Sequence, residues 1–296
     1  MQTGQTMRGP IIAVDWGTTN RRAWVIAADG AVTGAVAGGA GVLGMAADGY
    51  LPALAGLRAE LGDLPVVAAG MIGSTRGWHE APYVSAPADL PALAAAALRI
   101  DAADAVIVPG VALDDGTRAD VMRGEEVQVL GAIAAGLAPA DALFCQPGTH
   151  NKWVVTTDAR IVDVATVMTG ELFALLKDHG ILAGMLDGPV ADGEAFRAGV
   201  ARGAGACDLG AALFGVRAAV LLGRRAPDEA AAYASGVLIG SDVGARPLAG
   251  RDVHLLAAGT LADLYRAAIE AQGGRVVPVD ATVAFVAGIH ALREFL

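Results

Sequence analysis

Apolar runs of strand length, separated by glycine turns, alternate along this chain with stretches in which leucine and alanine recur every three or four residues. The first run, Ile11-Ile-Ala-Val, ends on Asp15; the turn Gly17-Thr18-Thr19-Asn20 follows, and a second run leads to Asp29-Gly30. This spacing predicts a β-hairpin, with 31–37 as a third strand that the Gly38-Gly39-Ala-Gly41 cluster breaks. Leu51, Leu54, Leu57 and Leu61 predict a helix over 48–61, and the unbroken apolar run 64–70 predicts a buried parallel strand. Beyond it the pattern predicts a helix at 89–98, a strand at 105–111 and a glycine turn opening a helix within 120–132. The opening pattern then returns: 141–158 reads as strand, Gly-Thr turn and strand, and 160–167 as a third strand. Thr169 or Gly170 is expected to cap a helix, 235–242 to form a loop in a mainly helical region, and 253–268 to be a strand turning through Gly259 into a helix.

The repeated meander implies an internal duplication, with two hairpins facing each other across one cleft. Chemistry concentrates at the hairpin tips. A glycine at the bend lets a ligand approach the backbone, and the N–H groups and side chains of Thr18, Thr19 and Asn20 suit an anion such as phosphate. Asp15 would face that anion, which calls for a cation between them, and Mg²⁺ with retained waters fits. An ordinary hairpin loop is the plainer alternative. The helix-opening Gly-X4-Gly-Lys-Ser/Thr loop does not occur anywhere in the chain.

Two further stretches stand out. The loop 70–83 gathers Gly73, Ser74, Arg76, Trp78, His79, Glu80 and Tyr83 in an otherwise alanine-rich chain, a mixture suited to a polyhydroxylated acid, with simple loop packing as the alternative. Gly124-Glu125-Glu126 places acids in the first turn of a helix, where the macrodipole stabilises negative charge; capping alone explains so short a pattern until its place in the chain is considered.

Composition narrows the class. With 296 residues, 40 of them glycine, and few aromatics, the chain suits one large or two ordinary domains of alternating strands and helices. A net charge of −10 opposes nucleic acid or acidic membrane as a partner. Cys145 and Cys207 are far apart and lack metal-ligand spacing, so a reduced, cytoplasmic setting is expected without a disulfide framework or zinc site. The polar segment 1–10 reads as a disordered lead-in rather than a signal peptide, and no apolar run is long enough to predict a membrane span.

The order of glycine hairpin, second Gly-Thr hairpin and late strand-glycine-helix resembles the actin-like ATPase superfamily, which includes sugar kinases. More specifically, Asp15-Trp-Gly-Thr-Thr-Asn20, the 70–83 loop, Val121-Met-Arg-Gly-Glu-Glu126, Pro147-Gly-Thr-His-Asn-Lys-Trp153 and Met168-Thr-Gly-Glu-Leu-Phe resemble the 2-dehydro-3-deoxygalactonokinase family. The resemblance is dense from Ile11 to about Leu182 and looser beyond; Ala257-Ala258 precede Gly259 where many relatives carry more glycine. It implies an α/β fold of two actin-like (ribonuclease H-like) lobes, each a five-stranded mixed sheet flanked by helices, with ATP in the interlobe cleft. The N-terminal lobe would span 11–115 and the C-terminal lobe 116–296.

The implied reaction moves the γ-phosphoryl of ATP to the terminal (C6) hydroxyl of 2-dehydro-3-deoxy-D-galactonate, with Mg²⁺. By this resemblance Asp15 holds the metal through water, Gly17, Thr18, Thr19 and Asn20 bind one end of the triphosphate, and Gly148, Thr149 and His150 bind the other. The base lies over Gly259, and Glu125 accepts the hydroxyl proton, with Glu126 its competitor. Gly73, Ser74, Trp78, Glu80 and Tyr83 are expected at the sugar acid; Arg22, Arg76, Arg123 and Lys152 are the cations open to its carboxylate. His179, His254 and His290 are expected to be structural. Another sugar-acid kinase of the superfamily, or a non-catalytic ATP-binding regulator, would share this scaffold, and a homodimer is compatible with it.

Overall fold

The computed structural model describes residues 7–205 and 208–296; Cys207 and most of the expected lead-in lie outside the described residues. The chain divides into two compact units, one of Met1–Asp141, Val154–Val164 and Ala281–Leu296, the other of Ala142–Trp153 and Ala165–Asp280. The stretch 116–141 thus falls in the first unit.

In the first unit, β1 (Ile11–Trp16) pairs antiparallel with β2 (Asn20–Ile26), and β2 with β3 (Val32–Ala40). Contrary to expectation the glycine cluster does not break β3. The pairs Asn20↔Ala40 and Arg22↔Ala37 enclose a bulge, and Gly38 and Gly39, at φ +102° and +103°, supply the backbone conformation it requires. Helix α1 (Tyr50–Leu61) lays Tyr50, Leu54 and Leu57 on a core of Ile12, Val14, Trp16, Val66 and Ala68, the last two from β4 (Val66–Gly70), which runs parallel to β1.

After β5 (Tyr83–Ser85), helix α2 (Leu90–Ala95) is shorter than expected. Leu98-Arg99-Ile100 forms β6 (Leu98–Ile100), whose alternating burial follows the strand period of two. The expected strand 105–111 is two strands, β7 (Ala105–Ile107) and β8 (Gly110–Asp114), separated by Val108-Pro109; proline cannot donate to a ladder, and the chain changes sheet there. The first sheet has the order β3-β2-β1-β4-β7-β6, one strand more than expected. β8 joins β5 and β9 (Ala119–Met122) in a small separate sheet, order β5-β8-β9, that leads into α3 (Glu125–Ala134).

The second sheet takes β10 (Ala142–Gln146), β11 (Asn151–Thr157) and β12 (Arg160–Val167), and the division between the units passes through β11 and β12. Helices α4 (Thr169–Asp178), α5 (Glu194–Ala204), α6 (Leu209–Leu221) and α7 (Ala230–Gly244) follow, then β13 (Asp252–Leu255), α8 (Gly259–Ala271) and β14 (Arg275–Pro278). The sheet order β12-β11-β10-β13-β14 repeats β3-β2-β1-β4-β7 position for position, as the duplicated meander predicts. Residues 235–242 lie inside α7 rather than in a loop. Their glycines are not turn signals: a Cβ on Gly236 would lie 2.1 Å from the Phe196 carbonyl of α5, so the two helices pack backbone to backbone. Met168, rather than Thr169 or Gly170, occupies the N-cap of α4.

The chain ends with α9 (Ala281–Leu292), which returns to the first unit. A Cβ on Gly288 would lie 2.2 Å from the Val127 carbonyl of α3, and the buried Arg293 donates to the Ala27 carbonyl at 2.9 Å. Among the described residues no helix is long and apolar enough to cross a membrane.

Candidate functional site

The first turn is a cage of backbone hydrogen bonds. Gly17 N–H donates to the Asn20 carbonyl at 2.9 Å, while the carbonyls of Thr19, Gly17 and Thr18 accept from the N–H groups of Gly41, Val42 and Leu43 at 3.0–3.1 Å. With its carbonyls taken up in this way, the turn leaves Thr18, Thr19 and Asn20 exposed. Asp15, Gly17, Thr18, Thr19, Asn20, Arg21 and Arg22, with Ala37 and Gly38, line a cavity of about 500 Å³. Arg22 donates to Asp15 at 2.6 Å; burial raises the carboxyl's pKa, and the guanidinium partly opposes the rise. Arg21, which sequence reasoning passed over, lies over the Trp16 indole at 4.9 Å.

Two close contacts made by glycines join this turn to the other chemistry of the first unit. Trp16 pairs with Gly70, and a Cβ on Gly70 would lie 2.7 Å from the Trp16 carbonyl. A Cβ on Gly124 would in turn lie 2.9 Å from the Gly70 Cα. The end of β1, the start of the 70–83 loop and the start of α3 therefore meet.

Along that loop the residues divide by environment. Gly73 is buried, with the Arg123 guanidinium 2.9 Å from where its Cβ would be. The Ser74 hydroxyl donates to the Met71 carbonyl at 2.7 Å, and Trp78 stacks on Tyr50 at 6.0 Å and touches His79 at 4.9 Å. Arg76, His79 and Glu80 are exposed. Arg123 is buried: it donates to the Ala81 carbonyl at 2.8 Å and lies 4.2 Å over the Tyr83 ring, clamping the far end of the loop to the base of α3.

The two glutamates that open α3 differ sharply. Glu126 is wholly buried, both its oxygens accept from Gly124 N–H at 2.7–2.8 Å, and burial followed by the charge of Glu125 pushes its carboxyl up to about 8. It is therefore mostly protonated at neutral pH. Glu125 is half-buried and accepts from Arg123 N–H at 3.0 Å.

In the second unit, the turn at Gly148-Thr149-His150 rests on the start of α4. Glu171 N–H donates to the Thr149 carbonyl at 2.9 Å, a Cβ on Gly170 would lie 2.6 Å from the Gly148 carbonyl, and His150 Nε2 pairs with the Glu171 carboxylate at 2.7 Å. Lys152 is buried and donates to the Thr166 hydroxyl at 2.7 Å. Beside the turn, Gly148, Thr169, Gly170, Ser235 and Tyr265, with Phe173, Val190 and leucines and isoleucine of α7 and α8, line a mostly apolar cavity of about 210 Å³. Gly259, at φ +62°, opens α8, whose Leu261, Leu264 and Tyr265 form one wall of that cavity; Gly259 itself is not part of the lining. Asp242, Glu171 and Tyr265 had no role in the sequence reading. Asp242 carried one faint signal, an acid four residues before Arg246 within an apolar stretch, which the neighbouring glycines disguised as a loop.

Two sheets of one strand order, each with a glycine-threonine turn after its first strand, define an actin-like α/β protein. The 2-keto-3-deoxy-galactonokinase family profile matches residues 15–292, and the chain belongs to that family. It is 41% identical over 306 residues to a probable 2-dehydro-3-deoxygalactonokinase of Rhizobium meliloti (strain 1021), covering 97% of each chain. It is 36% identical over 294 residues to the 2-dehydro-3-deoxygalactonokinase of Escherichia coli (strain K12), covering 97% of this chain and 99% of that one. A solved Sinorhizobium meliloti protein with a provisional assignment to the same activity superposes with a TM-score of 0.88 at 40% identity, covering 95% of this chain and 97% of the other.

Proposed function

We propose that this chain transfers the γ-phosphoryl of ATP to the C6 hydroxyl of 2-dehydro-3-deoxy-D-galactonate, giving 2-dehydro-3-deoxy-6-phosphogalactonate in galactonate catabolism in the cytoplasm. Beside family membership, one observation supports it most: the hydroxyl-lined cavity at the first turn is joined through Gly70 and Gly124 to a half-buried glutamate at the head of α3. Phosphoryl transfer asks chiefly for charge neutralisation and an oriented hydroxyl, and this arrangement offers both.

Thr18, Thr19 and Asn20 bind phosphate oxygens at the first turn, and Gly148, Thr149 and His150 do so at the second. The apolar cavity beside Gly148 accepts the nucleoside, which moves the base contact from Gly259 to the residues that follow it on α8. A lone carboxylate at the cavity edge suits Mg²⁺, which is usually held by one or two carboxylates plus substrate phosphates and keeps several waters. Asp15 would hold that ion, which neutralises phosphate charge when bound. Glu125 accepts the proton of the C6 hydroxyl; Glu126, kept neutral by burial, does not compete. Arg22 is engaged by Asp15 and Arg123 by the loop, so Arg76 is the cation best exposed for the substrate carboxylate.

The test is ADP release in the presence of 2-dehydro-3-deoxy-D-galactonate, its gluco epimer, and plain D-galactonate and D-gluconate. The galacto keto-deoxy acid is expected to give the highest kcat/KM. Preference for a plain aldonic acid, or no ADP with any of the four, would overturn the proposal.

A further inference from the structure

One buried carboxylate of the second unit collects hydrogen bonds from three elements. Asp242 of α7 has a fully buried side chain. Its Oδ2 accepts from Asn151 Nδ2 of β11 at 2.5 Å, from the Thr169 hydroxyl of α4 at 3.3 Å and from the Tyr265 hydroxyl of α8 at 3.2 Å. Its Oδ1 accepts from Trp153 Nε1 at 2.8 Å and faces the Arg246 guanidinium at 3.5 Å.

The partners are not arbitrary. Asn151 directly follows His150 in the second turn, and Thr169 and Tyr265 line the apolar cavity that Gly148 also borders. The same carboxylate therefore holds the back of the turn and two walls of the cavity. We propose that Asp242 is a positioning residue for ATP, fixing the second turn and the cavity walls in mutual register; this rests on the reading that the turn binds nucleotide phosphates.

The acid is required because every neighbour is a donor. Two carboxylate oxygens offer about four acceptor sites, enough for the four hydrogen bonds with the Arg246 charge alongside, whereas an amide at this position would turn an N–H₂ toward groups that also donate. A buried ionised group needs such a complete shell. Asn151 also accepts from the Cys145 thiol at 3.5 Å, so a flip of its amide to suit an altered partner would disturb β10 as well.

A purely structural role and a positioning role differ in what they move. Loss of fold support lowers the melting temperature and the folded fraction but leaves both Michaelis constants unchanged in the enzyme that remains. Loss of positioning selectively weakens ATP. The experiment compares Asp242→Asn, Tyr265→Phe and Thr169→Val with the parent enzyme in ATP affinity by calorimetry, KM for ATP, KM for the sugar acid and melting temperature. Asp242→Asn is expected to raise the Kd and KM for ATP about tenfold, as for loss of hydrogen bonds to a charged group. Tyr265→Phe and Thr169→Val are expected to raise them severalfold, and the KM for the sugar acid is expected to stay within about twofold in all three. Unchanged ATP constants in folded Tyr265→Phe and Thr169→Val, or equal rises for both substrates, would overturn the proposal, and these two variants decide the matter should Asp242→Asn fail to fold. Thr149→Val serves as the reference. If it weakens ATP while the other three do not, only the positioning role falls; if it leaves ATP binding untouched, the parent reading of the turn falls too.

Discussion

Gly124 approaches Gly70 so closely that a Cβ on the former would sit 2.9 Å from the Cα of the latter. The first peptide of α3 is thereby laid against the last peptide of β4, and Gly124 holds φ +104°, a conformation that L side chains rarely adopt. Gly124→Ala combines steric overlap with backbone strain. It is expected to cost on the order of 1–3 kcal/mol of stability and to displace Glu125, lowering kcat by more than stability alone explains. Chemical denaturation and steady-state rates of the purified variant check this.

Glu125→Gln keeps the shape of the helix start and removes the carboxylate proposed as the base. Turnover is expected to fall by on the order of a hundredfold or more with ATP affinity retained. Equal turnover in the variant would shift the base to another group, since Glu126 lacks solvent access.

Glu126 carries a stability signature. Its folded pKa, about 8, stands above its ordinary value of 4.5, so the folded state holds a proton that the unfolded state has already released between those pH values. Stability therefore falls as pH rises from about 4.5 to about 8, and the penalty is absent below that window and complete above it. Glu126→Gln is expected to flatten the stability profile across this window, which urea titrations at several pH values will show.

Arg123 donates to the Ala81 carbonyl, lies over the Tyr83 ring and fills the space beside Gly73 where a side chain would otherwise stand. Arg123→Lys retains charge but loses the planar stack and the forked donor geometry. The KM for the sugar acid is expected to rise about tenfold with the KM for ATP nearly unchanged, and varying one substrate at a time separates the two.

Much of the architecture was legible because its signals are local. Asp15-Trp-Gly-Thr-Thr and Pro147-Gly-Thr-His mark hairpin turns by residue type, and the apolar run before each marks a buried first strand. Two of the differences share a cause: at 38–41 and 235–242 glycine reads from sequence alone as a break. At Gly38-Gly39 it makes a bulge within a strand, and at Gly236 and Gly240 it lets helices touch. Which of these glycine serves depends on a partner distant in sequence. The same limit hid Asp242, whose donors lie at 151, 153, 169, 246 and 265. The two neighbouring glutamates were legible as a pair, but only burial separates them.

The return of α9 to the first unit bears on how the molecule is made. Arg99 near the first sheet's edge donates to the Leu296 carbonyl at 2.8 Å, and α3 lies against α9. During synthesis the amino-terminal half must wait with a helix-binding face uncovered until residues 281–296 leave the ribosome. Shortening the chain at its carboxyl end is thus expected to harm the half made first.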